Sequence, residues 1–172
     1  MNVQFLNPFL EAANEVLKAE IGVEVQRGEI SLQRSALTAN EVTVLLNMIG
    51  QLQGVVLYGM SKATACMLVS KMLGEQITEL DSLAQSGVAE LGNVLTGRAT
   101  IKLSEIGLQT DISPPTVIIG AGITVSTLDF PRLVVPIRFE NHSMEAHLAL
   151  RLAEASSNQS HVPLVRGLGV RA

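Results

Sequence analysis

Three observations predict an α/β domain of the layered α+β type, with a mainly antiparallel sheet and long helices packed on one face. The chain has 172 residues, 47% hydrophobic and 16% charged, enough apolar material for one substantial core. Several segments carry helix caps, and at least one shows a clear apolar stripe. Between them lie β-branched runs broken by short Gly or Pro punctuation, the mark of hairpins.

The elements follow in order. Asn7-Pro8 opens the first helix, with Asn as N-cap and Pro at the first helical position. This helix runs through Leu17 and stops before Gly22. Residues 23–32 and 41–60 are extended in character, and Gly50-Gln51 and Gly54 supply turns or bulges that predict a hairpin in the second stretch. Ser61 caps a helix through Leu73, and Gly74 stops it. Thr78 or Asp81 starts the next helix, which continues to Ile106 before Gly107. Asp111-Ile112-Ser113-Pro114-Pro115 is a non-helical connection, because neither proline fits a helix interior. Three strand-like runs come next, at 116–127, 132–139 and 145–152. The breaks between them are Leu128-Asp129-Phe130-Pro131 and Glu140-Asn141-His142. The reading is one domain over 1–152 and a surface extension without catalytic part over 153–172, where the sequence loses period and gains Ser, Gly and Asn.

Composition narrows the function. A formal charge of −4 gives no electrostatic case for nucleic acid or an anionic membrane. Cys66 is the only cysteine, so no intrachain disulfide forms, and a cytoplasmic protein is expected. The first twenty residues lack the basic start and apolar run of a leader, and apolar segments elsewhere are interrupted well before membrane-spanning length.

The segment SGVAELGNVLTG, residues 86–97, is the most informative. Its three glycines each cost about 1 kcal/mol relative to alanine inside a helix, yet its surroundings read as one helix. On a wheel of about 100° per residue, Ala84, Val88, Leu91, Leu95, Ala99 and Ile106 form the stripe that docks on a sheet. Ser86, Glu90, Asn93 and Gly97, spaced four, three and four, form a second stripe opposite. A solvated face is the plain explanation for such a stripe. Asparagine is a mediocre helix residue, however, and no Lys or Arg lies three or four positions from Glu90. The neighbours Ser86, Gly87, Ala89 and Gly97 are also small, where solubility alone would favour long charged side chains. That pattern fits a surface that another backbone approaches closely.

Ser86-x3-Glu90-x2-Asn93, followed by Pro114-Pro115 in DISPPTVIIG, resembles the signature of the CheC/CheX/FliY phosphatases of bacterial chemotaxis. The texts AELGNVLTGRA and DISPPTV are most similar to CheX, and the order of elements agrees over residues 5 to 152. The resemblance implies a phosphatase acting on the phospho-aspartate of a CheY-type response regulator. It implies that Asn93 orients the attacking water and Glu90 contacts the regulator's active-site lysine. Ser86, Gly97, Pro114 and Pro115 would be supporting or partner-binding positions. No cofactor is expected on this chain, since the Mg²⁺ of the reaction would belong to the regulator, and a homodimer built by joining sheets is expected. The chemistry is undemanding, because an acyl phosphate is already activated and needs chiefly a placed water and electrostatic support. A neutral amide can donate to and accept from such a water.

Asn7-x3-Glu11-x2-Asn14 repeats the spacing on the first helix. Glu11 and Asn14 form a possible second motif, with a chance pattern on an amphipathic helix as the alternative. One competent motif is more similar to CheX than to CheC. Elsewhere, His142 and His147 fall on opposite faces of a strand, and with only Cys66 and His161 besides they make no metal cluster. Cys66 reads as a small buried residue. Gly120-Ala121-Gly122 reads as a turn and not a phosphate loop, since strand-like sequence follows it. A second functional reading stays open beside the enzyme: a non-catalytic module that binds a regulator or sits in a signalling or flagellar assembly.

Overall fold

Alternating buried positions organise the centre of the sheet. In β4 (Val42–Gly50) the side chains of Val42, Val44, Leu46 and Met48 enter the core, and in β5 (Leu52–Met60) those of Leu52, Val56, Tyr58 and Met60 do. The computed structural model describes residues 5–34, 37–127 and 131–153. Its first helix, α1 (Leu6–Val16), ends in one π-helical turn (Leu17–Ile21) closed by left-handed Gly22. Four short strands are β1 (Gln26–Arg27), β2 (Ser31–Gln33), β3 (Leu37–Thr38) and, later, β8 (Thr124–Val125). The remaining elements are α2 (Lys62–Leu73), α3 (Ser82–Glu105), β6 (Thr110–Ile112), β7 (Thr116–Ile119), β9 (Arg132–Phe139) and β10 (His142–Leu152).

The main sheet runs β1-β9-β10-β5-β4-β6, with β2 also on β9 and β7 also on β4; β3 and β8 pair separately. Every pairing is antiparallel. The helices share one core with one face of this sheet: Val88, Leu91, Leu95, Ala99 and Leu103 of α3 join the inward residues of β4, β5, β9 and β10. This is the layered arrangement expected.

Caps behave as their chemistry dictates. Ser61 Oγ accepts from the Thr64 N–H at 3.1 Å, and Gly74 stops α2 at φ 68°. Asp81 Oδ1 accepts from the Ala84 N–H at 2.8 Å to start α3. Gly54, at φ 140° in β5, is required by its neighbours: a Cβ there would meet the Ala149 carbonyl oxygen of β10 at 2.0 Å.

Several expectations need correction. Asn7 is not the N-cap of α1; the helix begins at Leu6 with buried Phe5 at the cap position, and Asn7 is exposed. Pro8 fits at the third helical position because the first four N–H groups of a helix have no intrahelical partner. Ile106 leaves the apolar stripe of α3, being the residue at which the helix unwinds; it is exposed, and Leu103 is buried instead. The 116–127 run is two strands, β7 and β8, in different sheets, parted by the turn at Gly120–Gly122. Asp111 and Ile112 belong to β6, so the connection narrows to Ser113-Pro114-Pro115. His142 already lies in β10, leaving Glu140-Asn141 as the hairpin turn. Residues 128–130, the extension beyond Ala153 and His161 lie outside the described residues.

Candidate functional site

Helix α3 is fixed from below. Gly92 lies on β4 so closely that a Cβ would sit 2.7 Å from Val44 Cγ1, and Gly87 stands likewise 2.7 Å from Val69 Cγ1 of α2. Two of the three glycines therefore answer to packing inside the chain, Gly87 to a second helix. Buried Thr96 donates its hydroxyl to the Gly92 carbonyl at 2.8 Å and shares a 3.2 Å hydrogen bond with Tyr58 of β5. Burial pushes the Tyr58 phenol up to about 12, against the smaller opposing pull of Thr96, so it stays neutral as a hydrogen-bonding post.

The opposite face is bare. Ser86 and Glu90 are exposed, and Asn93 and Gly97 are half-buried on the same side. Ser86 Oγ donates to the Ser82 carbonyl at 2.9 Å, leaving its lone pairs outward. Among the described residues the side chains of Glu90 and Asn93 make no hydrogen bond or ion pair. The Asn93 amide thus keeps its donor and its acceptor available to water or to an approaching group.

Asn93 stands at the edge of a cleft of about 510 Å³ between α1 and α3. Val16 and Ala19, the latter on the π-helical turn, face Gly97 and Ile101 of α3, with Ile112 of β6 on the remaining side. Gly97 keeps this space open: a Cβ there would meet nothing nearer than Ile112 Cδ1 at 3.9 Å. The cleft is bridged by Arg98 Nε and Glu15 Oε2 at 2.7 Å. Lys102 Nζ lies 2.5 Å from Glu15 Oε1 and 3.4 Å from Glu11 Oε2. The hydrogen bond from Lys102, then that from Arg98, holds the Glu15 carboxyl below its usual range.

Pro114 and Pro115 follow Ile112 after the single residue Ser113. They interrupt one edge of the sheet, with β6 pairing with Met48–Gly50 and β7 with Val42–Leu45 of β4. Ser113 fills the interruption, its N–H donating to the Asn47 carbonyl at 2.9 Å and its Oγ accepting from the Asn47 N–H at 3.0 Å. Pro114 is exposed and Pro115 half-buried. On α1, Glu11 and Asn14 are both exposed, and Glu11 faces Lys102. Ile101, Ile112 and the Arg98–Glu15 bridge were not among the residues marked by sequence. The wheel places Ile101 within about 20° of Glu90, but nothing local announces that β6 folds back beside it.

The other singled-out residues lie away from this cleft. His142 Nδ1 is 3.3 Å from Thr64 Oγ1 on the helix side, while His147 is buried on the far face of β10. Cys66 is buried, and burial raises its thiol, with Asp81 adding to the rise. Among the described residues no three His, Cys, Asp or Glu side chains are grouped to hold a metal, and no helix is long and apolar enough to cross a membrane.

The chain is 28% identical over 153 residues to the CheY-P phosphatase CheX of Thermotoga maritima, covering 88% of this chain and 98% of that protein. A CheC-like superfamily protein from Shewanella sp. PV-4 has the same fold, with TM-score 0.80 and 29% identity over 88% of this chain and 99% of its own. A chain of the CheX–CheY–BeF3–Mg²⁺ complex from Borrelia burgdorferi matches with TM-score 0.73 and 27% identity, over 87% of this chain and 99% of its own. The profile of the chemotaxis phosphatase CheX family matches residues 42–138, which take in α2, α3, the proline connection and most of the sheet. This chain belongs to the CheX family of chemotaxis phosphatases.

Proposed function

We propose that the chain hydrolyses the aspartyl phosphate of a CheY-type response regulator, with Asn93 orienting the attacking water. The observation that carries this reading is the half-buried, unpartnered amide of Asn93 one turn from the unpaired carboxylate of Glu90, on a helix locked to its sheet. The water attacks phosphorus in line, the bond to the regulator's aspartyl oxygen breaks, and inorganic phosphate and a free carboxylate result. Asn93 contributes by holding that water, the regulator's Mg²⁺ by offsetting charge. Glu90 pairs with the regulator's lysine and sets the register of docking, while Ser86, Gly97 and the Pro114-Pro115 segment support the approach. The CheX–CheY complex and the name of the Thermotoga relative support the choice of partner.

One working motif is the better reading. Glu11, the counterpart of Glu90 on α1, already faces Lys102 at 3.4 Å. The same proposal holds a single domain over 1–152, a cytoplasmic setting and a homodimer joined through sheet edges, where β2 exposes Leu32 and β7 exposes Ile119. Sedimentation at micromolar concentration tests the dimer; a strict monomer refutes it.

The deciding experiment is phosphate release from a phosphorylated CheY-type receiver. Wild-type protein should accelerate it, and Asn93→Ala should lose about 100-fold or more, equivalent to about 3 kcal/mol of barrier, with its thermal unfolding unchanged. An Asn93→Ala protein of full activity sinks the assignment. Binding without acceleration by wild type would instead favour the non-catalytic module.

A further inference from the structure

We propose that Leu83 and Ile101 are apolar anchors by which α3 grips the phosphorylated receiver, one on either side of Glu90 and Asn93. This rests on the phosphatase reading above and identifies what holds the partner there. The two residues are 18 positions apart, five full turns, so they lie on the same line along the helix, within about 20° of Glu90. They are 49% and 50% exposed, the exposed large apolar side chains of a face otherwise made by Ser86, Glu90, Asn93, Gly97 and half-buried Val94.

Distance favours a single partner spanning both. Eighteen residues of helix cover about 27 Å. A standard interface buries about 800 Å² per partner, a patch roughly 28 Å across, and transient signalling contacts are somewhat smaller. Leu83 and Ile101 therefore stand near the two margins of a receiver-sized footprint centred close to Glu90. A carboxylate and an amide alone make too small a contact to hold a protein, because binding energy concentrates in a few well-filled apolar or aromatic contacts. Ile101 also borders the cleft kept open by Gly97, so an apolar side chain of the receiver has a recess there. The receiver this face selects carries its phospho-aspartate and lysine between two apolar patches about 27 Å apart.

Leu83→Asp and Ile101→Lys test the proposal without unsettling the helix. Leu83 is the second residue of α3 and Ile101 lies near its C-terminal end, where acidic and basic side chains respectively suit the helix dipole. The probe is a CheY-type receiver from the same genome, loaded with BeF3⁻ and Mg²⁺ for binding and phosphorylated for turnover. Each single variant should raise Kd and KM about 5- to 10-fold, with kcat at saturation within two-fold of wild type. Ile49→Lys, at an exposed isoleucine of β4 on the sheet face turned away from the helices, should change neither. Unaltered Kd and KM in the Leu83 and Ile101 variants, beside an active wild type, overturn this proposal and leave the phosphatase reading standing. A fall in the sedimenting mass of the free protein would make the ridge a contact between copies of this chain and also overturn it. If wild-type protein neither binds the loaded receiver nor releases phosphate, both readings fall together.

Discussion

Alanine in place of Gly97 should make the protein more stable and less active. In the folded chain the added methyl meets only Ile112 Cδ1, at 3.9 Å, an ordinary contact. Within a 24-residue helix the exchange removes a glycine penalty of about 1 kcal/mol, largely by restricting the unfolded chain. For a protein of this length that gain corresponds to a rise in Tm of about 2–4 °C. The same methyl stands in the cleft beside Asn93, where the proposed mechanism brings the partner. Loss of about 1.4 kcal/mol of transition-state stabilisation there would lower kcat/KM tenfold. Gly92→Ala provides the opposite sign from the same substitution five residues away. Its methyl would lie 2.7 Å from Val44 Cγ1 and 3.3 Å from Val44 Cβ, and overpacking of about 1–3 kcal/mol outweighs the gain in helix propensity. Calorimetry and phosphate release on the two variants decide the matter. A Gly97→Ala protein that is stabilised and fully active refutes the view that this glycine serves an approaching partner; a destabilised one refutes the geometry itself.

Tyr58→Phe should cost about 1 kcal/mol, since it removes the bond to Thr96 while Thr96 keeps its bond to the Gly92 carbonyl; urea unfolding reads this, and an unchanged midpoint would deny the post its role. Burial lowers the His147 imidazole, Glu145 at 3.3 Å pulls it back up, and Arg132 adds to the lowering. The unfolded chain therefore binds this proton first, and stability is lost as pH falls from about 6.5 toward the folded value, at up to about 1.4 kcal/mol per pH unit. Unfolding of wild type and His147→Leu at pH 7 and pH 5.5 should show the steeper loss in wild type, and equal slopes would exclude His147 as the cause. Asn14→Ala should keep phosphate release within two-fold of wild type, because Glu11 beside it is turned to Lys102; a loss like that of Asn93→Ala would establish a second working motif.

The helices were legible because their ends are written in local chemistry. Ser61, Gly74 and Asp81 do at the termini of α2 and α3 what their side chains or lack of one permit. The bare stripe of α3 was legible for the same reason, as spacing alone places Glu90 and Asn93 on one face. Asn7 misled because a good capping residue beside Pro8 is a preference, while buried Phe5 ties the chain to the core two residues earlier. The three glycines look alike in sequence and differ only in what lies across from them: Val69 of α2, Val44 of the sheet, and open space. That difference belongs to tertiary packing, and so does the cleft, whose Ile112 arrives from a strand that folds back after α3 ends. The division has a physical consequence for catalysis. Contacts below the helix, Gly92 on Val44 and Thr96 on Tyr58, fix the backbone that carries Asn93, so on the proposed mechanism the place from which its side chain projects is set during folding. If the regulator docks there as proposed, its binding need not supply the free energy of ordering that backbone, and the glycine at 97, which packing does not demand, would leave it room to approach.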